Sequence, residues 1–141
     1  MIIKKFSINL IILEGWCVGS KPIDPHYLKK NINDLEKIED SNLLWRTAYN
    51  KALVEYQKVF KKFSYFIFIK IPNWKFVIDW KYKQELVLRS SNRNNHLKKK
   101  LYRFIQFYEK LSKWMFLTSP SDCNVLITLD KKQTAKKITY K

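Results

Sequence analysis

The chain has 141 residues and a formal net charge of +16, with 46% hydrophobic and 16% aromatic residues. That apolar content excludes a disordered polyelectrolyte and suffices for one domain with a core. Its two glycines, Gly15 and Gly19, exclude a glycine-rich phosphate loop within these residues, and two distant cysteines, Cys17 and Cys123, give no disulfide framework.

Met1–Leu13 reads as a buried strand, apolar and β-branched, ending at the Glu14-Gly15 break. Glu14–Pro25 holds both glycines and two of the four prolines and reads as a loop. A short helix is predicted over His26–Glu39, with Leu28, Ile32, Leu35 and Ile38 on one side. Asp40 or Ser41 then offers a cap for a longer helix over Asn42–Phe63, whose apolar stripe runs Trp45, Tyr49, Leu53, Tyr56, Phe60 and Phe63.

Ser64–Ile71 and Trp74–Trp80, separated by Pro72-Asn73, predict a hairpin that Glu85–Leu88 extends. Ser90–Asn95 is a polar turn. Asn95–Phe116 predicts an amphipathic helix: Leu97, Leu101, Phe104, Tyr108, Leu111 and Met115 form one face, and Lys99, Arg103, Gln106, Lys110 and Lys113 another. Thr118–Asp122 breaks it. A strand over Asn124–Leu129, a turn at Asp130–Gln133 and a return strand over Thr134–Tyr140 complete the chain. The order of elements predicts an α+β class: a small mixed sheet, two longer amphipathic helices and a C-terminal β-hairpin in one domain, residues 1–141.

Charge divides this domain. Residues 1–57 carry eight Lys and Arg against seven acids, a net of +1; residues 58–141 carry twenty against five, a net of +15. Such a field opposes compaction unless a polyanion neutralises it. Nucleic acid is one such partner and an anionic lipid surface the other. Two places concentrate the charge. Arg89, Arg93, Lys98, Lys99, Lys100 and Arg103 span a turn and a helix start with no acid among them, and Lys131, Lys132, Lys136 and Lys137 sit in the terminal hairpin. Both are candidate RNA-binding surfaces, although a solvated helix face and lysines guarding a sheet edge explain the same residues. Lys58, Lys61 and Lys62 equally well complement a helix dipole. Trp74, Trp80, Tyr82, Tyr102, Phe107 and Trp114 could stack on bases.

The search for catalytic groups is negative. His26, His96, Cys17 and Cys123 have no zinc-site spacing. Asp24 beside His26 reads as a helix start, and Glu36, Glu39 and Asp40 read as helix-surface charges. The expectation is a protein without enzymatic turnover, without cofactor and without metal. Fifteen Ile, 24 Lys and five Trp in one short chain fit an A/T-rich coding sequence of organelle type.

That profile resembles a mitochondrion-encoded ribosomal protein. Asn124–Asp130 (NVLITLD), with the turn and basic strand that follow, resembles the first hairpin of the small-subunit platform protein family, over about 23 residues from Thr118. It lacks that family's glycine after the Asp. The resemblance implies an RNA-facing hairpin. The expected function is therefore a structural constituent of the mitochondrial ribosome, in the matrix. It would bind rRNA through the basic surfaces, while the near-neutral part, residues 1–57, packs on neighbouring ribosomal proteins. An accessory subunit of a respiratory membrane complex is the alternative; no segment reads as a membrane span.

Overall fold

The computed structural model describes residues 10–89 and 95–141. Asp24 starts the first helix. Its carboxylate accepts the amides of His26 and Tyr27 at 2.9 and 3.1 Å, and Pro25 takes the first helical position, where its missing N–H costs nothing. This helix, α1, ends early, at Pro25–Lys29. The single helix expected to Glu39 is broken because the backbone turns extended at Lys30 and Asn33 diverts it. The Asn33 side-chain oxygen accepts the Glu36 amide, and its nitrogen donates to the Gln106 carbonyl 73 residues away. One π-helical turn, Leu35–Glu39, follows. Helix α2 spans Leu44–Phe60. Asp40 does cap it, from a distance: its carboxylate accepts the amides of Trp45 and Arg46 at 2.8 and 3.2 Å.

Strand β1 is Ile67–Lys70. The hairpin expected after it does not form, and Trp74–Trp80 lies in helix α3, Lys75–Arg89. Asn73 accepts the Lys75 amide at 2.9 Å and so opens a helix. Phe76 and Trp80 then meet one turn apart, ring centroids at 6.0 Å. Residues that favour strands thus serve here as a helix face. Helix α4, Asn95–Asp122, is about 42 Å long at 1.5 Å per residue. It runs through the predicted break at Thr118–Asp122. Pro120 lies within the last turn, where its missing N–H leaves the Phe116 carbonyl without its helical bond and only two helical residues follow.

Strands β2 (Val125–Leu129) and β3 (Ala135–Tyr140) form the predicted hairpin. Asp130 braces its turn by accepting the amides of Lys132 and Thr134 at 2.7 and 2.9 Å. The sheet order is β1-β2-β3, with β1 parallel and β3 antiparallel to β2. The α+β class with a small mixed sheet is therefore observed. One sheet side places Phe68 on Met115 and Cys123, with Phe66, Phe116 and Leu126 around them. The expected N-terminal strand differs. Met1–Asn9 lies outside the described residues, and Leu10–Leu13 has no regular secondary structure, joins no described strand and is 45–76% exposed.

The other side of α4 holds the segment before α2 through buried charge. Arg46 and Glu36 are fully buried, and Lys110 and Asp40 nearly so. Arg46 Nε donates to Asp40 at 2.7 Å, while its terminal nitrogens donate to the carbonyls of Leu28, Glu36 and Asp40. Lys110 Nζ lies 3.2 Å from the Glu36 carboxylate and donates to the carbonyls of Tyr27 and Lys30. Glu36 and Asp40, read from sequence as surface charges, are thus core residues, and so are Gln106 and Lys110 from the polar face of the predicted amphipathic helix. Two anions and two cations neutralise one another, which is what makes their burial tolerable.

Burial alone would raise the Asp40 pKa. The bonds from the Arg46 side chain and from the Trp45 and Arg46 amides outweigh it and hold the carboxyl below its ordinary value. A depressed carboxylate contributes stability that is present above its unfolded pKa, about 3.9, and is lost as pH falls through the lower folded value. Replacing Arg46 with Ala leaves buried anions uncompensated. It is expected to lower the unfolding free energy by about 3–5 kcal/mol at pH 7 and to flatten the acid-dependent loss. Urea unfolding at neutral pH and across the acid range checks both.

A cationic and aromatic cleft as the candidate functional site

In open sheets with parallel strands, ligands bind beyond the carboxyl ends of those strands. Here β1 and β2 end at Lys70 and Leu129, and a cleft of about 840 Å³ opens at that end. Its walls come from four places: the Gly15-Trp16 turn, the residues following β1, helices α3 and α4, and the β2–β3 turn.

The Trp16 wall is fixed on both faces of its position. Its indole nitrogen donates to Ser112 Oγ at 2.9 Å, and its ring stacks on Tyr108 at 4.8 Å with an interplanar angle of 10°. The turn that presents it closes at Gly19, with φ +80, where an added Cβ would stand 2.9 Å from the Phe66 ring. Only glycine suits that position. Trp74, 6.4 Å from Trp16 between centroids, continues the aromatic wall toward Trp80 on α3.

Lys81 and Lys83 on α3 and Lys131 and Lys132 on the braced turn also line the cleft, and none of the described lining residues is acidic. Lys81 is steadied by Glu85 one helical turn on, at 3.2 Å. The result is a flat aromatic surface beside several cations. It suits a ligand with a planar ring and negative charge, since rings stack and phosphate or carboxylate groups draw ammonium donors.

The predicted RNA-binding residues do not form one site. Arg93 lies outside the described residues, and Arg89 ends α3. Lys98, Lys99 and Lys100 are exposed on the first turns of α4. The charge there is not uncompensated as the sequence suggested. Lys98 pairs with Asp79 at 3.2 Å and lies over the Tyr82 ring, and Arg103 pairs with Glu39 and lies over Phe107. These acids come from other elements, 19 and 64 residues away in the chain. Lys131 and Lys132 line the cleft, while Lys136 and Lys137 stand exposed on the edge strand β3. Sequence reasoning missed Trp16, Lys81 and Lys83 as site residues. The signal available for Trp16 was a tryptophan between two glycines, at the end of an apolar run. Among the described residues no group of three or more His, Cys, Asp or Glu side chains is placed to hold a metal, and no helix is long and apolar enough to cross a membrane.

No family model matches the sequence, and no solved structure matches it. The chain is similar to a curated protein of Schizosaccharomyces pombe named uncharacterized kinase mug58, at 28% identity over 104 residues. The match takes in 72% of this chain and 36% of that protein. This finding corrects one expectation. A protein without turnover was expected because no catalytic motif stands in the sequence; the relative is named a kinase, which points toward an enzyme.

Both thiols are held by packing. Cys123 is 2% exposed. Burial pushes the Cys17 thiol up to about 11, partly offset by a hydrogen bond with Ser112. A thiol above the ambient pH is a poor nucleophile. Neither cysteine is expected to react with a disulfide reagent at pH 8 in the folded protein, and both should titrate once denaturant is added.

Proposed function

We propose that this chain forms part of a phosphoryl-transfer enzyme and that the cleft beyond β1 and β2 receives a nucleotide. The observation that carries the reading is the pairing of aromatic and cationic walls at the carboxyl ends of the parallel strands. Similarity to a protein named as a kinase supports it. In this reading a nucleobase stacks on the tryptophan wall formed by Trp74, Trp80 and Trp16. Lys131 and Lys132 on one side, and Lys81 on the other, offset phosphate charge. Phosphoryl transfer asks a protein chiefly for positioning and charge stabilisation. A rigid indole and a braced lysine turn are parts suited to that task.

The cleft is open, and its cations are single lysine contacts, so the chain alone is expected to bind ATP or ADP weakly, with Kd on the order of a millimolar. Titration with ATP should give a saturable quench of tryptophan fluorescence. Exchanging both Lys131 and Lys132 for Ala should weaken it about tenfold, equivalent to about 1.4 kcal/mol. A linear, non-saturating response, or equal quenching by the variant lacking Lys131 and Lys132, would contradict the proposal.

A second reading keeps the basic surface outside the cleft as an RNA-binding face, ribosomal RNA included. Exposed Lys99, Lys100, Lys136 and Lys137 favour it. Binding that falls steeply with salt is its expected mark. Charge reversal at Lys99 and Lys100 should reduce RNA retention without altering nucleotide quenching, and a filter-binding assay over a salt series decides it.

A further inference from the structure

A second cavity lies on the other side of the Trp16 wall. It has a volume of about 600 Å³ and opens between the Leu13–Val18 segment, α2 and α4. Tyr108 lines it, so the Trp16–Tyr108 stack divides it from the cationic cleft. Six rings form most of its walls: Trp45, Tyr49, Tyr56 and Phe60 from α2, and Phe107 and Tyr108 from α4. The α2 rings lie one or two helical turns apart, so the helix presents them on a single face.

Most of these rings are held in place by the protein itself. Trp45 meets Tyr49 and Phe107 edge to face, at 4.9 and 5.2 Å. The Arg103 guanidinium, paired with Glu39, lies 4.9 Å over Phe107. Phe104 leans on Tyr108 at 5.2 Å, and Leu53 forms a buried floor. Bulky ring contacts thus set the spacing of α2 and α4 and leave the space between them open. Walls fixed in advance spare a ligand the entropy of ordering them.

Electrostatics decide what suits this space. The chain carries a net charge of +16, yet none of the described residues lining the cavity is charged. A phosphate or carboxylate would lose its water there and find no ammonium in return. One polar group is left for a ligand. Tyr49 makes no hydrogen bond with the described residues, although a phenol taken out of water ordinarily finds a partner. Burial raises the Tyr49 pKa, and the carboxylates of Glu36 and Asp40 raise it further, against Arg46. The phenol therefore keeps its proton and stands as a donor, and the field that holds the proton also opposes an anion.

We propose that this cavity binds a neutral, ring-containing apolar molecule whose single hydrogen-bond acceptor, a ketone, ester or ether oxygen, meets the Tyr49 hydroxyl. The site is independent of the nucleotide reading of the cleft. Its volume falls within the range of small-molecule sites, roughly 300–1,000 Å³, and its make-up is theirs: apolar and aromatic walls with one placed polar group. The ring of the ligand packs among the aromatic walls, and the acceptor fixes its orientation.

The probe is Prodan, a neutral fluorescent naphthyl ketone, titrated into the full chain. One saturable site is expected, with Kd on the order of 10 μM and emission shifted to the blue. Tyr49→Phe removes the donor and keeps the ring. It should weaken Prodan binding about fivefold and leave unchanged the affinity for dimethylaminonaphthalene, which lacks the ketone. Ala52→Phe places bulk in the cavity and should abolish binding of both probes, with circular dichroism and ATP quenching unchanged. Absence of saturable binding overturns the inference, and so does Prodan affinity that Tyr49→Phe leaves unaltered. Naphthoate bound as tightly as Prodan would show that net charge, not this cavity, selects the ligand. Displacement of Prodan by ATP would place the probe in the cleft and likewise overturn the inference.

Discussion

The fold depends on the desolvated ion cluster of Glu36, Asp40, Arg46 and Lys110. Each charge alone would be prohibitively costly to bury; together they balance, and backbone carbonyls absorb most of the remaining donors. The cluster joins three stretches with little else in common: the irregular segment from α1 to the π-helical turn, the start of α2, and the middle of α4. Irregular backbone leaves carbonyls without secondary-structure partners. Arg46 and Lys110 satisfy them, so the segment can stay irregular without cost in unmet hydrogen bonds. One Glu36 oxygen is buried without a protein partner, and it marks the least complete point of the network. Burial draws the Lys110 pKa down, opposed by the carboxylates of Glu36 and Glu109 beside it.

Fixing α4 on that side fixes the cleft on the other. Lys110 and Ser112 are two residues apart on α4. The first reaches into the ion cluster, and the second accepts the Trp16 indole hydrogen that orients the aromatic wall. Met115 and Phe116, one turn on, support β1 and also line the cleft. A single helix thus carries the geometric relation between the charge cluster, the sheet and the candidate site. Displacing it would move the tryptophan wall relative to the lysines of the β2–β3 turn, which is held independently by Asp130.

The elements legible in the sequence were those that local chemistry decides. Asp24, Asp40 and Asp130 mark a helix start, a helix cap and a turn by hydrogen bonds within a few residues, and α2, the middle of α4 and the C-terminal hairpin lie where periodicity put them. What was illegible depended on distant partners. Trp74–Trp80 has the composition of a strand, yet Asn73 and the stacking of Phe76 on Trp80 make it a helix. The burial of Lys110 was not visible because the carbonyls it binds, at Tyr27 and Lys30, lie 83 and 80 residues away. The basic run at the head of α4 looked uncompensated because Asp79 and Glu39 are brought to it by the fold. Of the candidate site, Lys131 and Lys132 were visible as charges, and Trp74 and Trp80 as stacking aromatics. Their convergence was not visible, since it follows from the parallel pairing of β1 with β2.

That parallel pairing also explains how a strongly basic chain can present an apolar side. A parallel strand needs cover on both faces and neighbours on both edges to satisfy its apolar run and its backbone. Here α4 covers one face and β2 occupies one edge. The positive charge that dominates composition lies elsewhere, at the cleft rim, the head of α4 and the outer strand β3. On β3 the two kinds of surface adjoin, because Lys136 and Lys137 precede Ile138 and Tyr140 in one strand. The two meet where β1 ends, because Ile69 and Ile71 border the same cleft as Trp74 and Lys81.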